Sequence, residues 1–257
     1  MKLAQNLFNE ALARKNKQIG IWISLAHHFA AEVTAPSGYD WALIDMEHSP
    51  NDYFSVLGQL QAFASSGTTA LVRPDWNDPV VVKRLLDLGA QGLLFPMIQS
   101  VEEAQKAVAS TRYPPKGIRG VSGGTRATKF GRVSDYTARV EAETSVLLQL
   151  ETAAAVGRAL DIASVEGVSG IFFGPADIAA DIGLLGQPLH KDVWDLIHPA
   201  AQSLIAAGMP VGTLVNDAGF AAELLNEGFT FVACATDTML LAKAADAALD
   251  TVKNALT

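Results

Sequence analysis

The sequence contains little cysteine and few positive charges. Cys234 is the only cysteine among 257 residues, which excludes an intramolecular disulfide and a cysteine-based zinc site and leads us to expect a cytoplasmic location. The 19 Lys and Arg residues are outnumbered by 27 Asp and Glu residues, for a net charge of −8. Nucleic acids and anionic membranes select basic surfaces, so we expect a small-molecule partner, with no nucleic acid and no membrane.

Long apolar runs are also lacking. No stretch approaches the roughly 20 apolar residues that would span a bilayer, although the mean hydropathy is +0.22. The first 18 residues are polar and mixed in charge, so we expect no signal peptide. Since 49% of the residues are hydrophobic, the sequence predicts a large core and apolar subunit contacts.

Short apolar runs alternate with longer segments of helical periodicity. We interpret eight runs as buried parallel strands because of their length, their flanking turn residues and their branched or aromatic content: residues 19–24, 41–45, 69–73, 92–96, 145–151, 170–174, 210–214 and 229–233. Amphipathic segments lie between them, at residues 51–64, 79–88, 101–110, 153–163, 193–207 and 218–226.

This alternation over about 250 residues predicts a (β/α)8 TIM barrel. A doubly wound open sheet is the alternative, but it usually carries a Gly-rich phosphate turn, which this sequence lacks. No shift in composition marks a linker, so we expect a single domain over residues 1–257. An extra C-terminal helix, at residues 238–255, is rich in Ala and Leu and is expected to contact another subunit.

One long segment, residues 111–132, has no helical or strand periodicity. Loops of this length in compact domains are usually functional or form interfaces. Residues 104–134 carry seven Lys and Arg residues and no Asp or Glu. Such a loop attracts anionic substrates, or it is simply solvated or in contact with another subunit; both interpretations stay open.

Polar side chains end several of the predicted strands, which in a barrel is where catalytic groups lie. Glu151 and Asp177 follow neighbouring strands, so their carboxylates are expected to converge at the barrel mouth. Two carboxylates that share a site repel each other, and a hard divalent cation such as Mg²⁺ relieves the repulsion while water and substrate oxygens complete its coordination. The competing interpretation is that each carboxylate caps a helix or pairs with Arg73.

Two further strand ends carry groups suited to proton transfer and charge stabilisation. Arg73 presents a planar fork of donors for a carboxylate or a developing enolate, unless it is an ion-pair partner of Asp45 or Glu47. His48 is the only one of the five histidines directly at a strand end, and an imidazole there can move a proton near neutral pH. His27 and His28 closely follow the first predicted strand and stay alternatives, although a place in the first helix is expected for them.

The sequence lacks the residue patterns that several other catalytic mechanisms require. No Lys ends a predicted strand, which disfavours a Schiff base. Residues 120–124 match G-x-S-x-G, but they lie in the long loop and not between a strand and a helix, which disfavours a serine nucleophile elbow. We find no H-E-x-x-H, P-loop or dinucleotide fingerprint.

Five ordered blocks of sequence resemble the HpcH/HpaI class of metal-dependent 2-oxo acid aldolases. They are residues 40–52 (DWALIDMEHSPND), 72–74 (VRP), 83–90 (KRLLDLGA), 111–120 (TRYPPKGIRG) and 174–177 (GPAD). The resemblance covers nearly the whole chain in the same order. It implies a class II pyruvate aldolase on a (β/α)8 barrel, a carbon–carbon lyase acting on pyruvate or hydroxypyruvate and an aldehyde.

The resemblance also implies a role for each matching residue. Glu151 and Asp177 would bind the divalent metal cation, which is Mg²⁺, Mn²⁺ or Co²⁺. Gln149 and the backbone of Ala176 would help to hold the 2-oxo acid, together with Asp177 and Arg73.

Within the same resemblance, Arg73 would stabilise the enolate and His48 would be the base, with Asp87 raising its basicity. Asp87 comes late in a predicted helix that leads away from the catalytic face, so we expect it to lie far from His48 of its own chain. Three explanations stay open: the helix boundary differs from the predicted one, the loop geometry differs, or Asp87 reaches His48 of a neighbouring subunit. Members of this family form homohexamers that exchange C-terminal helices, which agrees with the apolar C-terminal helix.

Two other functions stay open at this point. An acyl-CoA lyase of the same superfamily, similar to citrate lyase or malyl-CoA lyase, would use the basic loop to hold a CoA phosphate. A catalytically silent 2-oxo acid binding protein would need none of the four residues Arg73, His48, Glu151 and Asp177 to react.

Overall fold

The computed structural model describes residues 1–256, so the predicted domain end at Thr257 lies outside the described residues. Eight parallel strands close into a barrel in the order β1 to β8, with β1 paired to β8. They are β1 (Gln18–Ile23), β2 (Trp41–Asp45), β3 (Thr69–Arg73), β4 (Gly92–Phe95), β5 (Ser145–Leu150), β6 (Gly170–Phe173), β7 (Val211–Leu214) and β8 (Phe231–Thr236).

Helices connect the strands on the outside, and a short 3₁₀ helix covers Ala35–Ser37. They are α1 (Leu7–Ala13), α2 (His28–Thr34), α3 (Tyr53–Phe63), α4 (Pro79–Leu88), α5 (Val101–Thr111), α6 (Tyr136–Arg139), α7 (Ala153–Val156), α8 (Ala159–Ala163), α9 (Pro175–Asp181), α10 (Lys191–Ala206), α11 (Ala218–Asn226) and α12 (Asp237–Leu256). The arrangement is a TIM barrel with an extra C-terminal helix, as predicted.

The barrel has two apolar layers. Large side chains from the strands fill its interior, and α1 closes the amino-terminal end with Phe8, whose ring lies 5.9 Å from Trp41 and 5.5 Å from Phe231. A larger cluster packs between the outer strand faces and the helices. Side chains fill the amino-terminal end and the middle of the barrel interior, so a site inside the barrel lies at its carboxyl end.

Most predicted elements match closely, and the differences have local causes. The predicted helix at residues 153–163 is two short helices, α7 and α8, separated at Gly157 and Arg158. Residues 112–135 contain neither helix nor strand, as expected for the long loop. Within residues 1–256, no helix is both long and apolar enough to cross a bilayer.

Candidate active site

The interior of the barrel changes from apolar to polar at its carboxyl end. Side chains alternate along a strand, so residues two apart share a face. On β2, Leu43 is in the interior cluster and Asp45 follows it two residues later; on β5, Leu147 is followed in the same way by Gln149. Both polar side chains are buried, at 2% and 3% exposure. The uppermost interior layer is therefore a polar floor at the mouth of the barrel.

Arg73 ends β3 directly opposite Asp45 in the strand register. Its Nε and Nη2 donate to the two oxygens of Asp45 over 2.9 and 2.8 Å. Its Nη1 lies 2.8 Å from Oε2 of Glu47, an oxygen without a well-aligned hydrogen bond, so this second contact is an ion pair of looser geometry. The sequence alternatives for Arg73 thus both occur, and Arg73 also lines the cavity described below.

The loop after β2 places His48 at the rim. Its side chain is 66% exposed, and its Nε2 lies 4.0 Å from Oε2 of Glu47. Two hydrogen bonds stabilise the start of this loop: Ser49 Oγ and Asn51 Nδ2 donate to the carbonyl of Asp45 over 2.5 and 2.6 Å. An accessible imidazole on an anchored loop is suited to exchange protons with a ligand in the mouth.

Glu151 follows β5 and is 2% exposed. Its Oε2 accepts the N–H of Met97 at 2.5 Å, and its Oε1 accepts Nε2 of Gln149 at 2.7 Å. Burial raises the pKa of Glu151 to about 7; the Met97 hydrogen bond opposes this effect, while the charges of Glu47 and Asp177 add to it. This carboxylate is held by neutral donors and has no ion-pair partner within residues 1–256.

Asp177 and Ala176 lie in the first turn of α9, directly after β6, and both are exposed to the mouth. Gly174, at the end of β6, lies against the floor: a Cβ on it would be 2.9 Å from Cγ of Glu151 and 3.3 Å from Nε2 of Gln149. A glycine here lets the backbone of β6 approach the buried carboxylate closely.

A cavity of about 380 Å³ opens above these groups. Five of its lining residues are site residues predicted from the sequence: His48, Arg73, Gln149, Ala176 and Asp177. The remaining walls are mainly apolar, from Trp22, Phe172, Gly174, Pro175, Pro188, Leu189, Leu214, Val215, Asn216 and Met239. This volume fits a small ligand with a polar end on the floor and an apolar end at the walls.

The floor fits a divalent cation. The charges of Glu47 and Asp177 both raise the pKa of Glu151, and the charge of Asp177 also raises the pKa of Glu47. Oε1 of Gln149 is buried without a hydrogen-bond partner. Hard oxygen donors of this kind are what Mg²⁺ and similar ions prefer. Residues 1–256 contain no cluster of three or more His, Cys, Asp or Glu side chains arranged around one point, so a cation would also draw on water or substrate oxygens.

Asp87 is not part of this constellation within one chain. It lies near the end of α4, where Nη2 of Arg119 donates to its Oδ1 over 3.0 Å, and its carbonyl accepts the N–H of Ala127. Helix α4 runs from the mouth towards the amino-terminal end of the barrel, so Asp87 is remote from His48. The role of Asp87 in raising the basicity of His48, in its own or a neighbouring subunit, stays a prediction.

Sequence reasoning missed several groups at the site. The apolar walls come from interior strand positions such as Trp22 and Phe172, whose rings are 5.7 Å apart. The period-two pattern that marks Gln149 also marks these two residues, so this signal was available. The backbone N–H of Met97, which binds Glu151 from the loop after β4, had no signal in side-chain identities.

Comparison with known proteins gives the family of this chain. Residues 18–244 match the family model of the HpcH/HpaI aldolase/citrate lyase proteins. The chain belongs to this family. The matched residues include every strand of the barrel and every residue of the candidate site, so the resemblance predicted from the five blocks is confirmed.

Curated HpcH/HpaI relatives cover almost the whole chain. A pyruvate aldolase of Rhizobium etli is 49% identical over 247 residues, which are 96% of this chain and 97% of the relative. A 4-hydroxy-2-oxo-heptane-1,7-dioate aldolase of Salmonella dublin is 46% identical over 244 residues, 95% of this chain and 93% of the relative. A crystal structure of a family protein from Burkholderia cenocepacia J2315 superposes with a TM-score of 0.93 at 37% identity, covering 97% of this chain and all of the other.

Proposed function

We propose that this HpcH/HpaI-family chain is a metal-dependent class II aldolase that joins and cleaves a small 2-oxo acid, pyruvate or hydroxypyruvate, and an aldehyde. The observation that carries the proposal is the buried carboxylate of Glu151, which makes no salt bridge in the described part of the chain and is close enough to Asp177 and Arg73 to feel their charges, next to a half-apolar cavity lined by those two residues. The activities of the two curated aldolases, both about half identical to this chain, support a carbon–carbon lyase.

Glu151 and Asp177 would hold the divalent cation, Mg²⁺, Mn²⁺ or Co²⁺. When bound, such an ion polarises the keto group of the substrate and offsets negative charge as the enolate forms. Gln149 and the backbone of Ala176 lie on the same floor and would orient the carboxylate and keto groups of the 2-oxo acid.

The chain's own residues supply the remaining steps. Arg73 lines the cavity and its N–H groups would donate to the enolate oxygen as charge develops there, since preorganised donors of this kind stabilise a transition state more than a ground state. His48, at the rim, would take up and return the proton of the substrate at an imidazole nitrogen. In cleavage the C–C bond pair passes to the 2-oxo acid fragment as an enolate, which is then protonated to pyruvate.

The basic loop gives little support to an acyl-CoA lyase. Arg112 pairs with Glu141 and Glu166, Lys116 pairs with Glu141, and the buried guanidinium of Arg119 pairs with Asp87. Three of the seven basic side chains are thus neutralised within the chain, so the segment is less attractive to a phosphate than its sequence indicated. CoA esters should compete poorly with pyruvate.

We also propose a homo-oligomer, with a homohexamer as the state implied by the family. Helix α12 exposes five aliphatic side chains: Leu240, Leu241, Leu249, Val252 and Leu256. Apolar surface of this extent is unfavourable in water and is typical of a subunit contact. Analytical ultracentrifugation tests the state. The cytoplasmic location stays a prediction from the sequence.

Metal removal tests the function directly. Retro-aldol cleavage of a 4-hydroxy-2-oxo acid, followed through pyruvate formation, should stop in excess EDTA and return when Mg²⁺, Mn²⁺ or Co²⁺ is added. Exchange of the methyl protons of pyruvate in D2O, followed by NMR, tests enolate formation without a chosen aldehyde. Undiminished cleavage by metal-free protein would contradict the proposal, and absence of both cleavage and exchange would favour a silent 2-oxo acid binding protein.

A further inference from the structure

Asp45 is a buried carboxylate that receives donors from three parts of the site. Its Oδ1 accepts Nε of Arg73 at 2.9 Å and the backbone N–H of Glu47 at 3.0 Å. Its Oδ2 accepts Nη2 of Arg73 at 2.8 Å and Nε1 of Trp22 at 3.2 Å. One side chain therefore connects the catalytic arginine, an apolar wall of the cavity and the start of the loop that carries His48.

These contacts fix the guanidinium of Arg73 in direction as well as position. Two parallel N–H···O bonds from one guanidinium to one carboxylate set the plane of both groups, and the indole of Trp22 packs 5.0 Å from Cζ of Arg73. Burial would raise the pKa of Asp45, but the hydrogen bonds and charge of Arg73 outweigh burial and hold that pKa below its usual value. Asp45 is thus an ionised partner of the arginine.

The cavity is lined by Arg73 and Trp22 but not by Asp45. Each of its carboxylate oxygens already accepts two donors, so Asp45 acts on a ligand through the groups that it holds. Glu47 contacts the same guanidinium without a well-aligned hydrogen bond, so Asp45 is the partner that determines the orientation.

We propose that Asp45 is a positioning residue of the reaction, which aims the free N–H groups of Arg73 and the indole of Trp22 at the bound 2-oxo acid. The inference rests on the proposed aldolase function. It predicts that loss of the Asp45 carboxylate slows turnover through Arg73 and leaves metal binding in place.

The test variant is Asp45→Asn, which keeps the size of the side chain but turns a donor towards Arg73 or Trp22. We expect the turnover number for methyl proton exchange of pyruvate with Mn²⁺ to fall about 100-fold, as misaligned catalytic groups typically cause. The KM for pyruvate and the Kd for Mn²⁺ should stay within about threefold, a change small in free energy. Asp40→Asn, at the opposite end of the same strand, is the control; its carboxylate accepts only the N–H of Ile19 among the described hydrogen bonds and its exchange rate should equal that of the wild type.

A double-mutant cycle separates positioning from a general structural effect. If Asp45 acts through Arg73, Asp45→Asn in an Arg73→Ala background should lower exchange by no more than about twofold further, because coupled residues are not additive. Equal losses in both backgrounds would overturn the proposal, as would wild-type exchange by Asp45→Asn alone.

Arg73→Lys decides the question independently of how well Asp45→Asn folds. Lysine keeps the charge but cannot make the two-point contact, so the proposal predicts at least about a tenfold loss of exchange by analogy with other misplaced donors; a near wild-type rate would overturn it. Absence of exchange in the wild-type protein with Mn²⁺ would instead refute the proposed function itself.

Discussion

Arg73→Ala tests the two roles that we propose for this guanidinium, one in catalysis and one in stability. Arg73 is 5% exposed and its main partner Asp45 is 2% exposed. Removing one member of a buried ion pair leaves the other charge uncompensated and typically costs about 3–5 kcal/mol. At roughly 2–4 °C of Tm per kcal/mol for a chain of this size, we expect thermal unfolding about 10 °C lower.

The catalytic loss should be separable from the loss of stability. Losing one preorganised donor to an oxyanion lowers kcat about 100- to 1,000-fold, whereas the proposed cation ligands Glu151 and Asp177 are untouched. The assays are differential scanning calorimetry, Mn²⁺ titration and pyruvate release well below the lowered Tm. Adding Asp45→Asn should recover part of the stability, because it removes the uncompensated charge, and none of the rate. A rate within about twofold of wild type, where changes outside special sites usually fall, would refute the role of Arg73.

Four further changes follow from the same geometry. Glu151→Gln and Asp177→Asn should each weaken Mn²⁺ binding by at least about tenfold, roughly 1.4 kcal/mol, in a calorimetric titration; retained affinity in both would contradict the cation site. Gly174→Ala would place a Cβ 2.9 Å from Cγ of Glu151, so we expect a lower metal affinity and a similar Tm. An unchanged affinity would show that the backbone at residue 174 packs less closely against Glu151 than described. Gly20→Ala would place a Cβ 2.1 Å from the indole of Trp41. Overpacking of this kind costs about 1–3 kcal/mol or more, so calorimetry should show a lowered Tm. An unchanged Tm would contradict the tight packing of the barrel interior.

The sequence predicted the barrel because strand and helix periods alternate so regularly. The bounds of β2 and β3 were predicted to the residue, since both end in a charged side chain that closes an apolar run. The predicted last strand began two residues early and ended three early, because Phe229 and Thr230 are buried before β8 and apolarity alone does not separate a strand from a buried loop.

The candidate site was predictable where one rule applied, that polar residues at strand ends face the mouth. This rule gave Arg73, Gln149 and Glu151. It could not reveal which ion pairs form when several are possible. Arg73 makes both of the ion pairs that the sequence left as alternatives. The rule says nothing of Asp87, which is not at a strand end; its place relative to His48 within one chain follows from the direction of α4.

The net negative charge at the barrel mouth connects the roles that we propose for its carboxylates and Arg73. Four carboxylates lie near the single guanidinium of Arg73: those of Asp45, Glu47, Glu151 and Asp177. When all five groups are ionised, the site has an excess of three negative charges. A 2-oxo acid is itself an anion and would be repelled from such a floor, strongly so at partly buried positions.

A dication removes most of this repulsion, and it can do so only if the substrate and the ion occupy the floor together. Linkage is reciprocal: an ion that strengthens binding of the keto acid must be bound more tightly, by the same factor, when the keto acid is present. The carboxylates are thus unfavourable for substrate binding alone and favourable for binding with a cation. On this account, the negative charge that disfavours binding of the keto acid alone is what would couple its activation to the metal.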